Sequence, residues 1–184
     1  MNSHQEITYT DERLADGTVY RRYGDGRQEW RVRRGQHWVE WRDDRGLTGT
    51  DELLGRRIVK RTLTNGHARG GHPIVRYARD IGYGRTVWRQ HPNDPRPLFA
   101  SSPPAPLVVT VNRSAFGGRV GSVLAGVGAS VLLGSIIAPP LLLSAAEEEE
   151  LRRALEQQAA SGSGGGDGGS LWDDGGGDGS DDFG

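Results

Sequence analysis

Residues 15–46 decide the fold; they read ADGTVYRRYGDGRQEWRVRRGQHWVEWRDDRG. Turn signals that contain glycine recur in this stretch at 15–17, 24–26, 34–35 and 43–46. Between two of them, Arg27–Arg33 alternates, with Gln28, Trp30 and Val32 on one face and charged side chains on the other. Period-two alternation between Asp-Gly turns is typical of antiparallel hairpins. The stretch therefore predicts a meander of short strands.

The same pattern extends over residues 1–97, for which we predict a mainly β, basic N-terminal domain, an antiparallel meander or small barrel. Asp51–Arg57 is interpreted as one helical turn. The predicted core contains five aromatic residues: Tyr20, Trp30, Trp41, Tyr77 and Trp88. The predicted strands are Thr18–Tyr23, Arg27–Arg33, His37–Arg42, Ile58–Thr64, Ile74–Arg79 and Arg85–Gln90.

Charge is divided unevenly along the chain. Up to Arg119 there are 21 Lys and Arg against 13 Asp and Glu, and after it 2 against 11. A basic N-terminal part and an acidic C-terminal part provide information about binding partners rather than about the fold. Cysteine is absent, which excludes a disulfide framework and thiolate chemistry.

A Pro-rich linker, 98–113, precedes the only long apolar stretch, although Leu107–Val111 is open to interpretation as one more strand. We predict a transmembrane helix over 114–143 because no charged side chain lies between Arg119 and Glu147 and about 20 apolar residues span a bilayer. A helical hairpin or surface insertion, and a buried element of a soluble fold, remain alternatives. Small residues recur at every fourth position of this stretch: Gly118, Ser122, Gly126, Ser130, Gly134 and Ala138.

This ladder resembles the glycine-zipper segments of membrane proteins, and the resemblance implies close helix packing rather than a particular function. Small-xxx-small faces associate in lipid, so a homo-oligomer through the helix is expected. Arg113 and Arg119 precede the uncharged run that begins at Val120, and the positively charged flank of a membrane helix usually stays in the cytoplasm. We therefore expect a cell-membrane protein whose N-terminal domain is cytoplasmic.

The last forty residues divide into a short charged helix, 144–160, and an acidic tail, 161–184. Ser144 and Glu147 have the spacing of a capping box, and Glu148 and Arg152 form an i,i+4 pair. The tail is Gly-, Ser- and Asp-rich with few apolar residues, so it is expected to be disordered.

No motif indicates a reaction. The chain lacks a nucleophile elbow, a P-loop and a dinucleotide fingerprint, and His67, His72 and His91 do not have a metal-binding spacing. We therefore predict a protein that is not an enzyme, without catalytic residues, cofactor or metal. The candidate site is instead a surface where arginines alternate with aromatic residues, predicted to include Arg31, Arg33, Arg34, Trp38 and Arg42.

Three interpretations of this surface stay open: ordinary solvated arginines, contact with anionic lipid headgroups, or contact with nucleic acid. The expected function is a self-associating membrane scaffold or adaptor whose β-rich domain binds an unknown protein partner. The alternatives are a soluble, nucleic-acid-associated β-domain with an autoinhibitory acidic tail, and a pore- or holin-like membrane oligomer.

Overall fold

A computed structural model describes residues 4–67, 71–91, 97–99, 105–114 and 138–161. These residues form nine strands and one helix. The strands are β1 (His4–Arg13), β2 (Val19–Tyr23), β3 (Gln28–Arg33), β4 (Trp38–Asp43), β5 (Thr48–Leu54), β6 (Ile58–His67), β7 (Pro73–Gly82), β8 (Arg85–Arg89) and β9 (Leu107–Asn112), and the helix is α1 (Ala145–Ala160).

The nine strands form a closed barrel with up-and-down topology. Each strand pairs antiparallel with the next, and β1 closes the barrel by pairing parallel with β9, Ile7 opposite Thr110. The parallel closure follows from the odd number of strands, since the first and last strands of an odd meander run in the same direction. The predicted mainly β N-terminal domain is confirmed as a barrel, and closure leaves no free sheet edge.

The inward face differs from the core predicted from the aromatic residues. Trp41 and Trp88 lie inside the barrel, as predicted. Tyr20 and Trp30 lie on the outer wall, because the inner positions of β3 are taken by Glu29 and Arg31. Tyr77 is buried, but it belongs to a separate outer cluster beneath α1.

The helical turn predicted at Asp51–Arg57 is wrong for its first part, since Thr48–Leu54 forms strand β5. Two inner positions of this strand are Gly49 and Asp51, so it lacks the apolar alternation that would have marked it. Gly49 is required there because an added Cβ would come within 2.3 Å of the Thr62 carbonyl oxygen and 2.5 Å of the Trp41 ring. Asp51 is held by charge rather than by apolar contact.

The barrel also includes parts of the chain predicted to be a linker. Leu98 and Phe99 are buried in the core, and the Phe99 amide donates a hydrogen bond to the Gln90 side chain over 3.0 Å. Leu107–Asn112 is the ninth strand, the interpretation left open for this stretch. The barrel therefore extends beyond residue 97, to Asn112.

Helix α1 begins with the predicted capping box between Ser144 and Glu147. It packs on the outside of the barrel, where Leu143 and Leu151 contact a cluster of Leu54, Ile58 and Tyr77. Polar contacts fix the same face of the helix, since the Glu148 carboxylate accepts hydrogen bonds from Lys60 at 2.8 Å and Tyr77 at 2.7 Å. The helix is therefore part of the folded domain.

Residues 115–137 lie outside the described part of the chain, and with them all of the small-residue ladder except Ala138. Of the predicted span 114–143, the described residues 138–143 form no helix. Among the residues the structure describes, no helix is both long enough and apolar enough to cross a membrane. The acidic tail after Ser161 is likewise outside the described residues.

Candidate functional site

The barrel interior is organised around one arginine. Arg61, on β6, is 1% exposed and bonds two carboxylates, Asp51 at 2.8 Å and Glu29 at 3.1 Å. Arg31 joins the same two carboxylates, donating to Asp51 over 2.8 Å and also to Glu29. Two guanidinium groups and two carboxylates thus neutralise one another inside the barrel.

Burial and ion pairing have opposite effects on the pKa values of the two carboxylates in this cluster. Burial raises the pKa of Glu29, but the guanidinium groups of Arg61 and Arg31 outweigh it and hold that pKa well below its usual value. The pKa of Asp51 is lowered for the same reasons. Both carboxylates are therefore ionised at neutral pH, which suits a structural network rather than proton transfer at pH 7.

The inner arginines also lie on aromatic rings. The Arg61 guanidinium is 4.3 Å from the Trp41 ring centre and 4.9 Å from that of Trp88. Arg21 lies 4.0 Å from the Tyr9 ring centre and forms an ion pair with Asp11 at 2.7 Å. Cation–π contact and carboxylate pairing act together on these buried cations.

A second arginine–aromatic cluster lies on the outer wall of β2, β3 and β4. The rings of Tyr20 and Trp30 lie 5.4 Å apart at directly opposed positions of β2 and β3. Arg42 is opposite Trp30 in the next strand, with its guanidinium 4.9 Å from the ring centre. Arg22 lies over Tyr20 at 5.9 Å. We call Tyr20, Arg22, Trp30 and Arg42 the outer face.

The outer face differs from the interior in its charge balance. Arg22 and Arg42 are exposed, and within the described residues neither forms an ion pair with a carboxylate. The Tyr20 hydroxyl donates to Gln28 over 2.7 Å, which fixes the ring beside Trp30. Two cations beside two fixed rings are suited to bind a segment that carries both negative charge and a flat side chain.

The structure separates the five surface residues predicted from the sequence. Arg42 belongs to the outer face, and Trp38 is 39% exposed further along the same strand. Arg34 forms an exposed ion pair with Glu40 at 2.8 Å, and Arg33 donates to the carbonyl oxygens of the β3–β4 turn. Arg31 is not a surface residue, because its inner position on β3 places it against Glu29 and Asp51.

Tyr20, Arg22 and Trp30 belong to the same sequence run in which arginines alternate with aromatic residues, but the five-residue set leaves them out, and Tyr20 and Trp30 are also predicted to lie in the core. The signal that would have found them is strand register, since opposed residues of paired strands share one face. The two-residue alternation of β3 was recognised, but Trp30 was assigned to the core because large aromatic residues are usually buried. Nothing in β3 alone shows that its charged side faces inward.

No metal-binding arrangement occurs in the described residues: they contain no group of three or more His, Asp or Glu placed to hold an ion. His72 is exposed and His91 partly buried. In comparisons with known proteins, no family model, no curated protein and no solved structure matches this chain. The geometry of the barrel and the composition of the chain are therefore the basis for a function.

Proposed function

We propose that this protein is a non-enzymatic, self-associating membrane scaffold. The barrel is its rigid body and partner-binding domain, and the apolar segment 115–137 enters the membrane from the side on which the barrel lies. The apolar composition of the segment supports membrane entry, and the observation that carries the one-sided arrangement is that both flanks of the segment contact the same barrel. The proposal keeps the membrane scaffold expected from the sequence, but replaces a single crossing with one-sided insertion.

The N-terminal flank is attached at the end of β9. Asn112 pairs with Tyr9 of β1, and the Ser114 hydroxyl accepts a hydrogen bond of 2.6 Å from the Asp11 amide. The Arg113 amide donates to the Tyr9 carbonyl over 2.7 Å. The chain therefore enters the apolar segment from a fixed point at one end of the barrel.

The C-terminal flank returns to the barrel near the opposite end of β9, where it is bound by Arg89 of β8. Pro139 is fully buried, and its carbonyl accepts two hydrogen bonds from Arg89, at 2.9 and 3.2 Å. Arg89 is opposite Leu107, the first residue of β9. The two attachment points are therefore separated by about the seven residue steps from Leu107 to Ser114, roughly 23 Å at about 3.3 Å per residue.

A single crossing would conflict with these attachments. A helix across the hydrocarbon core separates its ends by about 30 Å and places them on opposite sides of the bilayer. Helix α1 would then lose its contacts with the barrel, including the salt bridge between Arg152 and Glu52 at 2.6 Å. One-sided insertion keeps these contacts.

The absence of cysteine allows a direct test of sidedness. Asp44→Cys marks an exposed barrel turn and Glu150→Cys marks the exposed side of α1. Each single variant is labelled with a membrane-impermeant maleimide in intact cells and in inverted vesicles. We expect both sites to react only in inverted vesicles. Reaction of the two sites from opposite sides would contradict one-sided insertion.

Membrane attachment itself is tested separately. The full chain should stay in the membrane pellet after carbonate washing, and release of the unaltered chain would contradict the proposal. Val127→Arg should shift the protein to the soluble or degraded fraction, because a charged side chain in the middle of the apolar segment disfavours insertion, by at most the cost of about 2.5–3.5 kcal/mol at the centre of a spanning helix. Gln157→Arg, on the exposed side of α1, adds the same charge as a control.

Self-association is expected to depend on the small-residue ladder. Leu at Gly126 and Ser130 should block close backbone approach and weaken association. Leu at Val127 and Val131, adjacent positions that lie off the ladder, should have little effect. Crosslinking in native membranes compares the two pairs, and equal losses would show that the ladder is not the contact surface.

A further inference from the structure

The outer face has the features of a binding surface. Its rings are held at fixed positions by the barrel, and its two exposed arginines have no carboxylate partner within the described residues. In the described part of the chain, the arginine contacts with the rings of Tyr9, Tyr23, Trp41, Trp88 and Phe99 lie inside the barrel instead. A complementary partner would bring negative charge together with an aromatic or apolar side chain.

The chain itself contains such a segment. Residues 162–184 include six Asp, with no Lys or Arg, and three large apolar residues, Leu171, Trp172 and Phe183. Trp172 directly precedes Asp173 and Asp174, so one short stretch offers an aromatic ring and two carboxylates. We propose that this acidic C-terminal segment docks intramolecularly on the outer face.

The attachment point of the segment favours this occupant. The C-terminal part of α1 is held near β5, where Arg56 donates to the Gln158 side chain over 2.8 Å and Arg152 pairs with Glu52. Arg42, the member of the outer face on β4, is opposite Thr48 of β5, so the outer face begins one strand away from β5 but four residues along it from Glu52. With strands about 4.8 Å apart, β2 is about 14 Å from β5 across the sheet, and Thr48, which is opposite Arg42, is about 13 Å along β5 from Glu52. The outer face is therefore about 20 Å from the contact between Arg152 and Glu52.

The length of the segment is sufficient for this reach. Eleven residue steps separate Ser161 from Trp172, and a Gly-rich coil of that length extends about 18 Å on average. The separation of about 20 Å is close to this average and well below the fully extended length of about 36 Å, so Trp172 is able to reach Tyr20 and Trp30. Because the segment is tethered, its effective concentration at the face exceeds that of a free ligand. Docking would cover the outer face until a partner displaces the segment.

The experiment uses the full chain with a single cysteine, Ser170→Cys, carrying a benzophenone maleimide. After photolysis, crosslinked peptides are identified by mass spectrometry. We expect crosslinks within one chain to peptides that contain Tyr20, Trp30 or Arg42. The double variant Arg22→Gln, Arg42→Gln should reduce their yield severalfold. A matched control, Arg113→Gln with Arg153→Gln, removes the same charge elsewhere and should leave the yield unchanged.

Salt provides a second readout. The crosslink yield should fall between 0.1 M and 1 M salt, because the Debye length shortens from about 10 Å to about 3 Å. Crosslinks spread evenly over the barrel, or formed only between two chains, would overturn the proposal. A docked segment should compete with other anions for the outer face, so a chain that ends at Ser161 should bind a dT20 oligonucleotide or phosphatidylserine vesicles more tightly than the full chain does. Equal binding by the two chains would also overturn the proposal.

Discussion

The barrel contains the same pairing of arginine with aromatic rings in two surroundings. Inside, Arg61 lies over Trp41 and Trp88 and bonds Glu29 and Asp51. Outside, Arg42 lies over Trp30 and is exposed to solvent. The chemistry of the contacts is similar, whereas burial and the presence of carboxylates differ.

This difference determines what each cluster contributes. A buried guanidinium without a partner costs several kcal/mol, so the inner arginines require their carboxylates and stabilise the fold only as a complete network. An exposed guanidinium keeps its water and contributes little to stability. It remains available to an external anion, so the inner cluster is structural and the outer face is suited to binding.

The largest effect is expected from removing the central inner cation. Arg61→Met should lower the free energy of unfolding by about 3–5 kcal/mol, because Glu29 and Asp51 then have to share the Arg31 guanidinium. Arg42→Met makes the same change on the outer wall and should alter it by less than about 0.5 kcal/mol. Urea unfolding of the two variants measures both values, and similar losses would contradict the division into structural and binding clusters.

Acid should weaken the inner cluster, whereas the outer face contains no carboxylate whose protonation could weaken it. The pKa values of Glu29 and Asp51 are lower in the folded chain than the usual values of about 4 in the unfolded chain. The stability that they provide is therefore complete above about pH 5 and is lost as pH falls, by up to about 1.4 kcal/mol per pH unit for each carboxylate. Urea unfolding between pH 7 and pH 2.5 checks this, and Asp51→Asn should make the pH dependence shallower. A stability that stays constant down to pH 2.5 would show that the network contributes nothing.

A smaller effect tests the close packing behind the inner cluster. Gly49→Ala should cost about 1–3 kcal/mol, because the new methyl group would meet the Thr62 carbonyl and the Trp41 ring beneath Arg61. Gly35→Ala, in the β3–β4 turn, is the matched control, since its methyl group would have an ordinary contact of 3.9 Å with Trp38. Thermal unfolding compares them, and an unchanged melting temperature for Gly49→Ala would show that the ring can move aside.

Sequence patterns predicted the strands that are bounded by glycine turns. The β-rich class and β2, β3, β4, β6, β7 and β8 were recognisable from alternation and turn residues. β5 was not, because its inner positions are a glycine and a buried aspartate rather than apolar residues. β1 was also missed, and it belongs to the barrel through pairing with β9, a contact across a hundred residues of sequence that no local pattern contains.

The candidate site was predictable only in part, and for a related reason. Alternation shows which residues share a face of a strand, but the choice of the inner face depends on partners from other strands. Arg31 was expected on the surface because isolated arginines usually are. Its burial depends on Asp51 of β5 and Glu29, and only the barrel register brings these residues together.

The most direct measurement supplies the outer arginines with the carboxylates that they lack. Thr10 is opposite Arg22 and Thr48 is opposite Arg42 on the outer wall, so Thr10→Glu with Thr48→Glu offers each arginine an internal partner. Crosslinking from residue 170 to the outer face should fall severalfold, while the free energy of unfolding changes by less than about 1 kcal/mol. Gln36→Glu with Gln157→Glu, both exposed, adds the same charge away from the face and should leave the crosslinks intact. Unchanged crosslinking in Thr10→Glu, Thr48→Glu would contradict the conclusion that unpaired charge makes the outer face a binding surface.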